Sequence, residues 1–350
     1  NLPDPDIALP GENFNSVLYT GDGDASGQAI TGVGFQPEWL WIKKRDATGA
    51  HTILDVIRGT DSFLESNGDG AADTGTAAID SFDSDGFTVT DYNNTNQDTK
   101  TFVAWNWLAG GSAVANTTGT VDALVSANTT AGFSIVKFDQ EGTGADATIG
   151  HGLSQRPELV IGKPYDATDA WRVGSDFNDS SVNWEEILQL QSDGAAGPKD
   201  GVFDGGDYPG GPTSSIIYMG DDGINNTGYE SILYCFHSVE GYSKVGGYEG
   251  NGNADGTFIY TGFRPAFVMI KNWEAAGDRW LILDDKRDTY NFATNSLAPN
   301  LVNAESTGYD LDFISNGIKI RDDESPLNTS GIGYLYLAFA KSPFKYANAR

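Results

Sequence analysis

An all-β fold, built as three tandem antiparallel β-sandwich repeats with few short helices, is what this 350-residue sequence predicts, on three observations. One motif recurs three times at domain-sized spacing. The apolar runs are short and bounded by turn residues. Glycine is frequent, at 44 residues, whereas the helix-favouring methionine occurs twice. Short aromatic and β-branched runs punctuated by Gly, Asn, Asp and Ser read as strands joined by tight turns.

The recurring motif is GFQPEWLWIK at 34–43, echoed by RPELVIGK at 156–163 and FRPAFVMIK at 263–271. Aligning Pro37, Pro157 and Pro265 places a lysine six residues later each time, at Lys43, Lys163 and Lys271. The prolines lie more than a hundred residues apart, far beyond the roughly 20–50-residue period of a solenoid. An apolar strand precedes each proline: FNSVLYT at 14–20, FSIVKF at 133–138 and YSKVGGY at 242–248. A turn-plus-strand signal follows: SDGFTV at 84–89, DGI at 222–224 and SNGIKI at 315–320. Asp-Gly and Asn-Gly supply the positive φ angles of tight hairpins. Each repeat closes on an apolar strand in which a small residue precedes an aromatic, at 102–105, 233–236 and 336–339.

These landmarks divide the chain into an N-terminal arm (1–11), a first repeat (12–110), a linker or loose crossover strand (111–130) rich in Ser, Thr, Ala and Asn, a second repeat (131–238), a third repeat (239–344) and a C-terminal tail (345–350). The second repeat carries a Gly/Asp/Pro-rich insert at 192–212, expected to be a surface loop. The best helix candidate is 182–191, preceded by the capping residues Asp179, Ser180 and Ser181. In Trp39–Lys43 both faces are apolar, as in a strand covered on two sides, whereas Lys319 and Arg321 alternate with Ile318 and Ile320, which marks one wet face. Paired sheets of jelly-roll or concanavalin-like type satisfy both patterns. In repeats one and three an aspartate and an arginine follow the next strand, as Asp55/Arg58 and Asp284/Arg287; the second repeat has Gly174-Ser175-Asp176 there. An ion pair holding a strand end is the expected role.

A formal net charge of −28 repels phosphate backbones and anionic lipids, so neither nucleic acid nor membrane insertion is expected. No apolar stretch approaches the ~20 residues of a membrane span. The opening NLPDPD, without an initiating Met or signal-peptide pattern, reads as part of a longer or processed chain. The single cysteine, Cys235, sits in an apolar run and reads as a buried small side chain. His51 lies in the first repeat and His151 and His237 at separate places in the second, without metal-ligand spacing, and none of the 49 acids is singled out, so no catalytic residues and no enzyme are expected. No cofactor is required. Ca²⁺ is the one metal the acidic turns suggest, with Asp83, Asp85, Asp204 and Asp207 as candidate ligands, although none fits a twelve-residue calcium loop. Trp171, Trp184 and Trp273 lie near expected loops and are the candidates for stacking on a sugar, although filling a core or interface is the role expected of such aromatics.

The segments 34–43, 128–136 (NTTAGFSIV), 241–248 (GYSKVGGY), 260–265 (YTGFRP) and 338–350 (AFAKSPFKYANAR) together resemble a family of repetitive virion proteins of tailed phages, many of them marine. The resemblance covers nearly the whole chain and is weakest in the second repeat, at Gly162 and across 192–212. It implies a non-enzymatic tail-fibre, capsid-fibre or decoration protein at the virion surface. Its implied partners are other virion proteins, further copies of itself (a trimer among the options) and a host surface glycan or receptor. A calcium-assisted carbohydrate-binding module and a polysaccharide-cleaving tailspike-like enzyme are the alternatives.

Overall fold

The computed structural model describes residues 4–139, 147–176, 184, 186–198, 202–203, 211–220, 223–323 and 325–347. It is all-β, with antiparallel pairing throughout its sheets and only two short α-helices, Asn93–Asn96 and Ser325–Asn328, among the described residues.

Each repeat builds a large sheet with the same four central strands in the same order. The opening strands are Phe14–Thr20, Phe133–Asp139 and Ser243–Glu249. Each pairs with a closing strand, Thr101–Trp107, Glu230–Phe236 or Gly333–Pro343. The closing strand pairs on its other side with the lysine-bearing strand, Trp39–Lys44, Leu159–Pro164 or Phe263–Asn272. That strand pairs in turn with Thr52–Asp55, Arg172–Ser175 or Leu281–Asp284. A smaller sheet covers one face. It contains Gln28–Thr31, Gly86–Val89 and Ile79–Asp83 in the first repeat, and Phe258–Tyr260, Gly317–Ile320 and Leu311–Ile314 in the third. In the second repeat it is reduced to Ala147–Gly150 against Ile216–Met219.

Side chains alternate across a strand, and the large sheets use both faces. Leu40 and Ile42 point into the first repeat's own core, and Val160 and Val268 do the same in theirs. The intervening Trp39, Trp41, Leu159, Ile161, Phe267 and Met269 enter one core shared by all three repeats. That core is aromatic. Trp39 stacks on Tyr234 at 4.6 Å, Phe14 on Phe339 at 4.9 Å, and Trp107 meets Phe267 edge-on at 5.7 Å. Such pairs add about 0.5–1.5 kcal/mol each beyond the area they bury. The doubly apolar Trp39–Lys43 is therefore covered on one side by its own repeat and on the other by its two neighbours.

Four expectations are corrected. Of the two readings of 111–130 the strand holds and the linker does not: Val114–Asn116 and Ala123–Asn128 extend the second large sheet, and Val121, Ala123 and Val125 enter its core at a strand's period of two. The candidate helix 182–191 is not formed where it is described, because Glu186–Ile187 pairs with Gly197–Pro198 and Leu188 bridges to Val173; Trp184, Ile187 and Leu188 are drawn into the sheet's cores instead. At 222–224 the second repeat has a 3₁₀ turn, Gly223–Asn225, rather than a strand; Asp222 lies outside the described residues. Within the insert 192–212, where it is described, Val202 and Phe203 are fully buried rather than held on a surface loop. The space for Phe203 comes from two glycines: a Cβ at Gly174 would stand 2.5 Å from its ring, and one at Gly162 would meet Ile224 at 2.4 Å and Phe203 at 3.4 Å. The second repeat's two departures from the motif, Gly162 and the insert, thus form one packing solution.

Candidate functional site

The candidate sugar-contact tryptophans are placed as packing residues. Trp171 is fully buried at the seam with the first repeat, its Nε1 donating to the Glu65 carbonyl at 3.0 Å. Trp184 is buried in the second repeat's core against Phe203. Trp273 is half-buried against the shared core, with its carbonyl accepting from Ala196 N–H at 2.7 Å. Both Trp171 and Trp184 are buried and so do not reach the surface.

The candidate calcium ligands that are described serve a hairpin. Asp83 accepts from the Ser81 and Thr88 hydroxyls at 2.7 and 2.8 Å, and Asp85 from Gly32 and Gly34 N–H at 3.1 and 2.7 Å. Asp204 and Asp207 lie outside the described residues. Among the described residues no three His, Cys, Asp or Glu side chains gather as a metal site.

The Asp/Arg elements are ion pairs within and polar joints between repeats. Asp55 accepts from Arg58 Nε at 2.6 Å and caps the turn by accepting from the Ile57 and Arg58 amides; Asp284 does the same with Arg287 and the amides of Lys286 and Arg287. Each aspartate also takes a bond from the next repeat. Tyr234 of the second donates to Asp55 Oδ2 at 2.8 Å, and Trp105 Nε1 of the first donates to Asp284 Oδ2 at 3.0 Å. Tyr234 and Trp105 are equivalent by register, lying opposite Ile161 and Trp41. The third equivalents are Leu337, opposite Met269, and Ser175, opposite Leu159. Leu337 has no donor and Ser175 no charge, so the joint is polar at two steps and uncharged at the third. The missing Asp-Arg element of the second repeat thus goes with a missing donor in the third.

The three motif lysines are fully buried. Each Nζ donates to the carbonyl of the following residue, at 2.7 Å for Lys43, 2.6 Å for Lys163 and 2.7 Å for Lys271. Lys271 also reaches the Asp278 and Asp193 carbonyls, the latter in the second repeat. Burial lowers all three to about 8. His51 is not at an isolated position: like Trp171 and Trp280 it directly precedes the strand after the lysine. It accepts from Trp41 Nε1 at 2.8 Å through Nδ1, which leaves the proton of the neutral ring on Nε2. Burial holds its pKa well below the usual histidine range and lowers that of His151 to about 4. Cys235 is buried, as expected, and its thiol is pushed up to about 12. All these groups are buried within the sandwiches.

The surface is less even than the core. Among the described residues, the exposed aromatic side chains are Phe258, Tyr260, Tyr290, Phe292 and Tyr346, all in or beside the third repeat. Sequence reasoning pointed to Trp171, Trp184 and Trp273 and passed over these residues, because exposure depends on which strands are edges. Phe258 and Tyr260 lie on the edge strand of the small sheet, pointing to one face with Ile259 buried between them.

No curated protein and no solved structure matches the chain. A family model for a domain of unknown function, DUF7483, matches residues 9–343, a span that takes in all three repeats and their shared core. The chain belongs to the DUF7483 family.

Proposed function

We propose that the protein is a non-enzymatic structural or adhesion component of a phage particle, acting through surface contacts made chiefly by its third repeat. The observation that carries this reading is that the exposed aromatic side chains among the described residues concentrate in or beside the third of three otherwise similar repeats. Aromatic rings in water are poor for solubility and good for contact. The shared core supports the reading, since three sandwiches joined on one aromatic centre make a rigid block that presents a fixed surface. The sequence resemblance to virion proteins supplies the setting, and the partners it suggests are other virion proteins and a host surface glycan or receptor.

Labelling intact particles with an antibody against the chain tests the reading. Label on the tail or capsid surface is the expected result. Protein confined to the infected cell and absent from purified particles overturns it.

A further inference from the structure

The third repeat holds a basic groove in a chain that is otherwise strongly acidic. Arg264, Lys286 and Lys341, with Asp285, Thr289, Ser342 and Tyr346, line a cavity of about 460 Å³. The chain carries 21 Lys and Arg against 49 Asp and Glu, so three cations to one acid run against its composition. That acid is engaged through one oxygen: Asp285 Oδ2 pairs with Lys341 at 3.2 Å. Neither Arg264 nor Lys286 makes an ion pair among the described residues.

The second repeat provides an internal comparison. Arg156 precedes Pro157 as Arg264 precedes Pro265, and Asp176 follows Ser175 as Asp285 follows its equivalent, Asp284. There the arginine and the acid close on each other in a bidentate pair, at 2.6 and 3.2 Å. In the third repeat the pair is undone. The ladder is irregular here: Arg264 lies opposite Ser342 and Pro265 opposite Ala340, which leaves Lys341 without a partner across the sheet. Bulges of this kind re-aim a side chain, and Lys341 takes the carboxylate that Arg264 would hold. Arg264 Nη1 and Asp285 Oδ1 are both buried without a hydrogen-bond partner. One donor of the half-buried Arg264, Nη1, is already withdrawn from water without an acceptor, so an arriving anion satisfies it at little further desolvation cost.

We infer that this groove binds a sugar acid, its carboxylate held by Arg264 and Lys286 and its hydroxyls by Thr289, Ser342 and Tyr346. A uronate supplies both chemistries: an anion for the cations and hydroxyls for the polar rim. The inference takes from the adhesion reading only the place where such a sugar is met. Its test uses isolated protein and fails independently of particle labelling.

The test is calorimetric titration with a uronic-acid tetrasaccharide, its neutral tetrasaccharide counterpart and inorganic phosphate. The uronate should bind, weaken as salt is raised and outcompete the other two. Arg264→Gln, which installs the residue found at the matched position Gln36, should weaken uronate binding by at least about tenfold with the melting temperature unchanged. Lys286→Gln should weaken it in the same direction. Equal binding by the neutral sugar, equal or tighter binding by phosphate, or unaltered binding in both variants overturns the assignment.

Discussion

Tyr234 of the second repeat donates its hydroxyl proton to Asp55 of the first at 2.8 Å, while Arg58 Nη2 donates to the same hydroxyl at 3.1 Å. The tyrosine thereby closes a buried ion pair across a repeat boundary. Tyr234→Phe keeps the ring's packing and removes the bond, and is expected to destabilise by about 1–3 kcal/mol. Asp55→Ala strands Arg58 and should cost about 3–5 kcal/mol. Urea unfolding of the two single variants and the double variant checks both, and a coupling near zero would show that the hydroxyl does not act through Asp55.

The second repeat's core predicts a non-additive pair. Gly174→Ala drives a methyl to 2.5 Å from the Phe203 ring and 2.7 Å from Trp184, at an expected cost of about 1–3 kcal/mol. Phe203→Ala opens a cavity and should cost about 3–5 kcal/mol. Together they should cost less than their sum, because the second change removes one of the obstacles met by the first. Strict additivity would mean that Phe203 does not occupy this space in solution.

Stability should change with pH in two windows. The buried lysines have folded-state pKa values of about 8, against about 10.4 unfolded. Between these values the unfolded chain binds more protons, so the lysine contribution rises with pH from about 8 towards 10. His151, at about 4 when folded, contributes stability above its unfolded value near 6.5 that is lost as pH falls from there towards 4. Urea midpoints in high salt, which screens the chain's acidic surface, should show both slopes. Lys163→Met should reduce the alkaline one, and an unchanged slope would count against a buried charge at Lys163.

The Asp85 hairpin predicts a calcium-independent effect. Asp85→Ala hands the exposed Gly32 and Gly34 amides to water and should cost about 0.5–1.5 kcal/mol. Melting curves with Ca²⁺ and with chelator should show the same loss, and a loss confined to the calcium-containing sample would assign Asp85 to a metal.

What was legible in the sequence was local. The prolines fixed the register of the lysine strands because six residues separate Pro from Lys in every repeat, and the Asp-Gly and Asn-Gly turns at 85–86 and 316–317 marked hairpins by their own backbone needs. The closing strands show the limit. Matching Trp105 to Phe236 and Phe339 keeps the alternation but slips the first repeat by two residues. Pairing across the sheet makes Trp107, opposite Trp39, their equivalent, since Phe236 lies opposite Leu159 and Phe339 opposite Phe267. A slip of two preserves the face of every side chain, so hydrophobic pattern cannot detect it. The same slip hid the equivalence of Trp105 with Tyr234, and with it the polar joints. Burial of Trp171 and Trp184 agrees with the core role expected of large aromatics, whereas the cores they enter were illegible, because apolar bulk names no partner.

The shared aromatic centre also bears on how such a molecule can diversify. An assembly of identical chains must repeat every change at each symmetric position. With all three sandwiches encoded in one polypeptide, the second can trade side chains for Phe203 and the third can release Arg264 while their counterparts stay as they are, so a single specialised patch arises on a nearly symmetric body without being tripled.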